Sequence, residues 1–199
     1  MKKIALLIID VQNDFCPGGS LPIPAGDRVI TPLNRLARHF AAAGLPVFAS
    51  RDWHPPATNH FIDFGGEWPI HCVAGTKGAE FHAALNLPAA TQIISKGIDP
   101  ALPGYSAFEG CSADGTPLTK LLQSAGIKEL LIGGLATDYC VLSTVLDALQ
   151  SGFAVTLLSD GVAGVEITLG DVESAIEKMV SAGARLATVD SAWERLNAE

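Results

Sequence analysis

The 199-residue sequence is short of positive charge, lacks any long hydrophobic run and contains only four cysteines. Its 13 Lys and Arg residues against 21 Asp and Glu leave a formal net charge of -8, which argues against the basic surface that nucleic-acid binding requires. The N-terminal apolar run from Ile4 to Ile9 is too short for a signal-peptide core and far too short to span a membrane. The sequence therefore predicts neither a nucleic-acid nor a membrane partner.

The cysteines stand far apart and form no CxxC pair. A chain of this length without a secretion signal is not expected to carry a disulfide framework, so the sequence predicts a reduced, cytoplasmic protein. Three of the four cysteines are interpreted as structural: Cys16, Cys72 and Cys111. The sequence leaves the oligomeric state open, a homo-oligomer being one outcome.

Apolar residues, by contrast, are abundant. They make up 48% of the chain and give it a positive mean hydropathy, which excludes compositional disorder. A chain of this length can close one core around one sheet, and residues 1–199 are therefore predicted to form one domain.

Short apolar runs rich in branched residues predict buried strands, because both of their faces are apolar. These runs are Ile4 to Ile9, Pro46 to Ser50, Gln92 to Ser95, Glu129 to Ile132, Ala154 to Leu158 and Arg185 to Val189. Helical stripes lie between several of them: Val29 to Phe40 ending at Gly44, Val141 to Leu149, and Val172 to Val180 with Thr168 as N-cap. The alternation predicts a three-layer α/β/α fold with a mostly parallel, doubly wound sheet of about six strands.

Polar residues follow the predicted strands at the edge where ligands bind in such sheets. Asp10, Asp52 and Lys96 come just after the first three strands, and the loop before Cys140 follows the fourth. Each has a simpler explanation when taken alone: a turn cap for Asp10, a solvated loop amine for Lys96, a small buried hydrophobe for Cys140. Their convergence on one edge favours a catalytic group.

The neighbours of Cys140 strengthen this interpretation. Thr137 and Asp138 are good N-cap residues, so Cys140 is expected in the first turn of the second helix. There the helix dipole and the unpaired amides favour the thiolate and can hold an oxyanion.

A second group of residues predicts a metal site. Asp52, His54, His60 and His71 lie within twenty residues in a loop otherwise poor in charge. One carboxylate and three imidazoles suit one divalent transition metal ion, Zn, Fe or Mn. The other two histidines are interpreted as surface residues: His82 on a helical stretch and His39 on the exposed side of the first helix.

With these residues in place, the sequence resembles the nicotinamidase/pyrazinamidase branch of the isochorismatase-like hydrolases. The matching segments are Asp10-Val-Gln-Asn-Asp-Phe15, Cys16-Pro-Gly-Gly-Ser-Leu21, Arg51-Asp-Trp-His54, Asn59-His-Phe61, Trp68-Pro-Ile-His71, Gly104-Tyr-Ser-Ala-Phe108 and Gly134-Leu-Ala-Thr-Asp-Tyr-Cys140. The resemblance spans residues 4 to about 165, in the family's order.

The resemblance implies a role for each matched residue. It implies a catalytic triad of Asp10, Lys96 and Cys140, metal ligands at Asp52, His54, His60 and His71, and a cis peptide before Ala136 that turns the amides of Ala136 and Cys140 toward one point. It also implies pocket walls at Phe15, Leu21, Trp68 and Tyr105, although core packing also explains Phe15. Tyr139 borders the site where some relatives have histidine, which bears on the choice of substrate.

The expected activity is the hydrolysis of nicotinamide, and of pyrazinamide, to the carboxylic acid and ammonia through a Cys140 thioester, for NAD salvage. The main alternative is a related cysteine amidohydrolase acting on a carbamoyl or ureido substrate, an enzyme type that generally lacks the Asp/His metal set. A metal-bound hydroxide as direct nucleophile, isochorismatase activity and a non-catalytic pyridine-binding module are the further alternatives.

Overall fold

The computed structural model describes residues 3–198, which form one parallel sheet with helices on both of its faces. The strands are β1 (Ile4–Ile9), β2 (Val47–Asp52), β3 (Gln92–Lys96), β4 (Glu129–Leu135), β5 (Ala154–Ala163) and β6 (Arg185–Ala187). Their order in the sheet is β3-β2-β1-β4-β5-β6, and every neighbouring pair is parallel. The winding reverses between β1 and β4, which is the topological switch point of a doubly wound fold.

Two hydrophobic cores fill the space between the sheet and its helices. The helices are α1 (Ile30–Ala42), α2 (Leu118–Ser124), α3 (Leu142–Gln150), α4 (Asp171–Ser181) and α5 (Val189–Ala198). Buried residues of α1 and α5 belong to the core on one face, and those of α2, α3 and α4 to the core on the other. The predicted three-layer α/β/α architecture is therefore confirmed.

β1 shows how the sequence produces these layers. Successive side chains of a strand point to opposite faces, so Leu6 and Ile8 belong to the same core as Leu33 of α1, while Leu7 belongs to the core that contains Val145 of α3. Every residue of β1 is buried. Burial of one such side chain contributes roughly 1.5–3 kcal/mol, which explains why this strand carries no polar residue before Asp10.

The predicted strands start close to the observed ones, but several end later. β2 extends to Asp52 and β3 to Lys96, because these two residues pair with each other in the sheet. β4 extends to Leu135 and β5 to Ala163, and the two remain paired there beyond a bulge. β6 is shorter than predicted, since Val189 already begins α5.

Several helix predictions were incomplete or wrong. The sequence patterns indicated α1, α3 and α4 but gave no signal for α2 or α5. Thr168 does not cap α4: Gly170, at a φ of 99°, occupies the N-cap position. No helix contains His82, because Gln12 and Phe81 form an antiparallel bridge and the His82 amide donates to Val11. His39 is half-buried and stacks on Trp193, with 4.8 Å between ring centroids.

The long irregular segments meet over the carboxyl ends of the strands. The Asn13 amide donates to the Glu80 carbonyl at 3.0 Å, and the Asp14 amide donates to the Gly78 carbonyl at 3.0 Å. These bonds join the segment after β1 to the segment before β3 above the switch point. Within residues 3–198, none of the helices has the length and hydropathy needed to cross a membrane.

Candidate active site and metal centre

Three strand ends bring a carboxylate, an amine and a thiol into contact. Asp10 follows β1, Lys96 ends β3, and Cys140 lies in a π-helical turn, Thr137–Val141, that follows β4. The Nζ atom of Lys96 is 2.8 Å from Oδ2 of Asp10 and donates to the Cys140 Sγ at 3.4 Å. All three side chains are buried. The sequence predicted their convergence on one edge, and the structure brings them together.

Burial and ion pairing shift the pKa values of the residues in this group in opposite directions. Burial lowers the pKa of Lys96, yet the carboxylates of Asp10 and Asp52 raise it well above its ordinary value. Burial raises the pKa of Asp10 to about 6, against the opposing effect of Lys96. The hydroxyl of Ser50 donates to Oδ1 of Asp10 at 2.7 Å, a contact that sequence reasoning missed. The available signal was a serine directly after the apolar residues Val47–Ala49 of β2.

The surroundings of Cys140 favour the thiol, whereas the sequence led us to expect conditions that favour the thiolate. Burial raises its pKa well above the ordinary value, and the nearby Lys96 only partly offsets this. The expected caps are also wrong. Ala136 takes the N-cap position, Thr137 Oγ1 is buried without a hydrogen-bond partner, and the Asp138 carboxylate accepts from the amides of Val165 and Glu166. The thiol therefore needs a base at the moment of attack.

The peptide bond between Leu135 and Ala136 is cis, as the family resemblance implied. It lies directly between the end of β4 and the turn that carries Cys140. Ala136 and Cys140 line the same pocket.

A group of imidazoles adjoins the triad. One ring nitrogen from each of His54, His60 and His71 lies within 4.8 Å of the others, and all three residues are buried. Oδ2 of Asp52 is 3.7 Å from Nε2 of His54 and 4.0 Å from Nε2 of His71. The four residues predicted as metal ligands are thus brought together.

The orientation of these rings suits a divalent cation. Nδ1 of His54 is 3.0 Å from the Gly97 carbonyl and Nδ1 of His71 is 2.7 Å from the Pro69 carbonyl, so each Nδ1 is the donor and each Nε2 carries the lone pair. Nε2 of His54 is buried without a hydrogen-bond partner. Metal coordination satisfies such an atom, and this donor set therefore fits Zn, Fe or Mn.

The protonation states also fit a metal. Burial and the neighbouring His54 and His71 lower the pKa of His60 to about 4, which keeps its imidazole neutral. Burial raises the pKa of Asp52, but the positive charge of Lys96 lowers it below its ordinary value. Neutral imidazoles and an ionised carboxylate are the forms that bind a metal ion.

Asp10, Asp52 and Cys140 also place ligand atoms within 4.8 Å of one another. The Lys96 ammonium, however, contacts all three of these side chains. A cation is therefore already present among them, and this group is less suited to a metal ion than the three histidines with Asp52.

A pocket connects the two groups. The predicted walls Phe15, Leu21, Trp68, Tyr105 and Tyr139 all line it, together with Asp52, His60, His71, Ala136 and Cys140, and with Ile23 and Val165, which sequence reasoning missed. Nε1 of Trp68 donates to the Tyr105 hydroxyl at 2.8 Å, and the Trp68 ring meets the Tyr139 ring edge-on at 4.9 Å. Cys140 and three of the predicted metal ligands, Asp52, His60 and His71, therefore face the same pocket.

The remaining cysteines lie apart from this chemistry. All four cysteines are free, as the sequence predicted. Burial raises the pKa of Cys16 to about 11 and also raises that of Cys72, so neither is an activated thiol. The amide of Cys72 donates to Oδ2 of Asp14 at 2.7 Å, a bond that anchors the chain just after His71 and that sequence reasoning missed.

A doubly wound α/β fold whose switch point holds a buried thiol beside a lysine and a carboxylate is typical of a cysteine hydrolase. The model of the Isochorismatase domain family matches residues 4–191. The chain belongs to the isochorismatase-like hydrolases and, within them, to the nicotinamidase/pyrazinamidase branch.

Individual relatives support this membership over nearly full length. The chain is 40% identical to the nicotinamidase of Escherichia coli (strain K12), with 98% of each chain covered. It is 40% identical to the nicotinamidase/pyrazinamidase of Mycobacterium tuberculosis (strain ATCC 25618 / H37Rv), covering 92% of this chain and 97% of that one. A solved structure of the pyrazinamidase of Pyrococcus horikoshii in complex with zinc superposes with a TM-score of 0.86 at 45% identity, covering 94% of this chain and 99% of that one.

Proposed function

We propose that this protein is a nicotinamidase that hydrolyses nicotinamide, and also pyrazinamide, to the carboxylic acid and ammonia. The observation that carries the proposal is the contact of one buried ammonium, Lys96, with Asp10, Asp52 and Cys140. The nicotinamidase relatives at 40% identity supply the substrate class. The activity serves NAD salvage in the cytoplasm, and residues 1–199 act as one domain.

The proposed first step is proton transfer from Cys140 to Asp10. An amide is a poor electrophile, so it needs a thiolate nucleophile, and burial disfavours the thiolate until attack. Asp10, with a pKa raised to about 6, is ionised at neutral pH and basic enough to accept the proton. Lys96, within reach of both groups, stabilises the negative charge as it moves from Asp10 to the sulfur.

Attack by the Cys140 sulfur on the carboxamide carbon forms the tetrahedral intermediate. We assign its oxyanion to the backbone amides of Ala136 and Cys140. Asp10 then returns the proton to the departing ammonia, which leaves a thioester on Cys140. In the second half of the reaction Asp10 accepts a proton from water, and the resulting hydroxide attacks the thioester carbon. The carbon–sulfur bond breaks, the acid is released, and the Cys140 thiolate takes the proton back from Asp10.

Asp52, His54, His60 and His71 are the residues that would hold the metal. When bound, the metal supplies a Lewis-acidic position for the pyridine nitrogen, which aims the carboxamide toward Cys140. Phe15, Trp68 and Tyr139 enclose the ring and exclude water. The same four ligands disfavour a carbamoyl or ureido substrate, which has no ring nitrogen to bind.

Ammonia release from nicotinamide tests the proposal directly. We expect turnover by the metal-loaded protein, its loss after chelation, and its recovery when Zn²⁺, Fe²⁺ or Mn²⁺ is added back. A carbamoyl or ureido compound serves as the comparison substrate. Turnover of that compound but not of nicotinamide would replace the proposed substrate class.

A further inference from the structure

Gln12 is a fully buried polar residue that the proposed mechanism does not use. Its side-chain amide makes three hydrogen bonds, all to the backbone. Oε1 accepts from the Asp52 amide at 2.8 Å, and Nε2 donates to the carbonyls of Asp52 at 2.8 Å and of Ala79 at 2.9 Å. Both N–H groups and the carbonyl oxygen of this buried amide are thus hydrogen-bonded, which holds the partner backbone groups in fixed positions.

The end of β2 needs such a partner. The last paired residues of β1 and β2 are Ile8 and Ala49. The last backbone hydrogen bond between the two segments runs from the Asp10 amide to the Ser50 carbonyl. In the described part of the chain, the residues of β2 after Ser50 therefore have no strand partner on the β1 side. The Gln12 amide presents one acceptor and one donor to Asp52, as the peptide groups of a neighbouring strand would.

Asp52 is thereby held from both sides. Lys96 pairs with it in β3 on one side, and Gln12 binds its backbone on the other. Its two carboxylate oxygens contact different groups. Oδ1 is 2.5 Å from the Lys96 Nζ, while Oδ2 faces His54 and His71. Rotation of the Asp52 backbone would move both oxygens at once.

The third hydrogen bond of Gln12 reaches the segment that follows His71. Ala79 lies eight residues beyond His71, in the segment that also bonds to the chain after β1. Through Asp52 and Ala79, one side chain connects the end of β2 to the segment that follows the last histidine ligand.

We infer that Gln12 is a positioning residue, which fixes Asp52 between Lys96 and the histidine group and so sets both the affinity for metal and the ion pair of the triad. The activity part of this inference rests on the proposed function. The metal part does not, because metal affinity can be measured without substrate.

The test uses Gln12→Ala and Gln12→Met in the full chain, stripped of metal. Met keeps the length and much of the volume of Gln but makes none of its hydrogen bonds, so it fills the site if the alanine variant does not fold. We expect the Kd for Zn²⁺, measured against a competing chelator, to rise on the order of 10- to 100-fold. We also expect the visible absorption spectrum of the Co²⁺-loaded variants to change, because it reports ligand geometry.

Asn13→Ala is the matched control. The Asn13 side chain belongs to the same segment and donates across to the Lys77 carbonyl at 2.7 Å, without contacting Asp52. We expect this variant to lose some thermal stability but to keep the wild-type Kd for Zn²⁺ and the wild-type Co²⁺ spectrum.

Activity at saturating Zn²⁺ distinguishes a positioning role of Gln12 from a purely structural one. At saturating Zn²⁺ we expect the Gln12 variants to show a lower kcat for nicotinamide, because the Lys96–Asp52 pair is displaced. Folded Gln12 variants that match Asn13→Ala in Kd, spectrum and kcat would overturn the inference and leave Gln12 a purely structural role. If the wild-type protein does not hydrolyse nicotinamide, the proposed function fails, while the Kd and the spectrum still decide the role of Gln12.

Discussion

The Nζ atom of Lys96 lies 2.5 Å from Oδ1 of Asp52, so the lysine of the proposed triad is bonded directly to a proposed metal ligand. The same ammonium is 2.8 Å from Asp10, and the other oxygen of Asp52 faces His54 and His71. The nucleophile's base and the metal group therefore share one buried ion pair. A change at Asp52 is expected to affect both.

Substitution of Asp52 should impair both metal binding and the triad, whereas substitution of His71 should impair metal binding alone. We expect both Asp52→Asn and His71→Ala to weaken metal binding by more than about tenfold. Saturating Zn²⁺ should restore more of the kcat in His71→Ala than in Asp52→Asn, because only Asp52 contacts Lys96. Metal content by atomic emission and ammonia release across a Zn²⁺ titration measure the two effects. Full metal occupancy in both variants at stoichiometric Zn²⁺ would reject these ligands.

The pH dependence of the reaction should report Asp10. Its pKa is raised by burial to about 6, and only the ionised form can accept the thiol proton. The value of kcat/KM should therefore fall as the pH is lowered through about 6, in metal-saturated protein. Protonation of His60 does not explain a limb there, since burial and its histidine neighbours lower its pKa to about 4.

Asp10→Asn provides the complementary measurement. The amide keeps the shape of the carboxylate but cannot take up the proton, so we expect a loss of kcat at every pH with Zn²⁺ binding retained. An Asp10→Asn variant that keeps the wild-type kcat and acid limb would assign the base to another group.

The Trp68–Tyr105 hydrogen bond should contribute to substrate binding. Trp68→Phe and Tyr105→Phe each remove the 2.8 Å bond while leaving an aromatic ring in the pocket wall. A net contribution of about 1 kcal/mol predicts a rise in KM of about fivefold for nicotinamide, with little change in kcat. Because both substitutions remove the same bond, the double variant should show less than the product of the two effects. Independent effects would contradict a shared role.

Sequence periodicity was sufficient to predict the parts of the site that depend on strand ends. Asp10, Asp52 and Lys96 lie at or just after the ends of parallel strands, whose carboxyl ends meet at one edge of the sheet in any loop conformation. Apolar runs with both faces buried leave few alternatives, so the sheet was predicted closely. Helix α2 was missed because its seven residues give only about two turns of periodicity. Helix α5 was missed because its first residue, Val189, was assigned to the predicted last strand.

Contacts that depend on loop conformation could not be predicted from the sequence. Gln12 and Asp14 act on backbone groups that lie 40 and 58 residues away, and no periodicity marks such partners. Asp138 looked like a helix cap but binds two amides of the loop after β5. The thiolate expected at Cys140 was wrong for a related reason, because the depth of burial is a property of the folded chain.

The core prediction can be checked with two leucines. Leu6 in β1 is fully buried, while Leu186 in β6 is 49% exposed. We expect Leu6→Ala to lower the free energy of unfolding by about 2–5 kcal/mol and Leu186→Ala by far less. Urea denaturation measures both. Equal losses in the two variants would contradict the described packing.

Ammonia release by Cys140→Ala loaded with Zn²⁺ tests the thioester mechanism most directly. We expect this variant to fold, to bind Zn²⁺ like the wild type, and to lose at least about a thousandfold in kcat for nicotinamide, since no other group forms the thioester. Substantial turnover by the folded, metal-loaded variant would rule out Cys140 as the nucleophile and would mean that water attacks the amide directly.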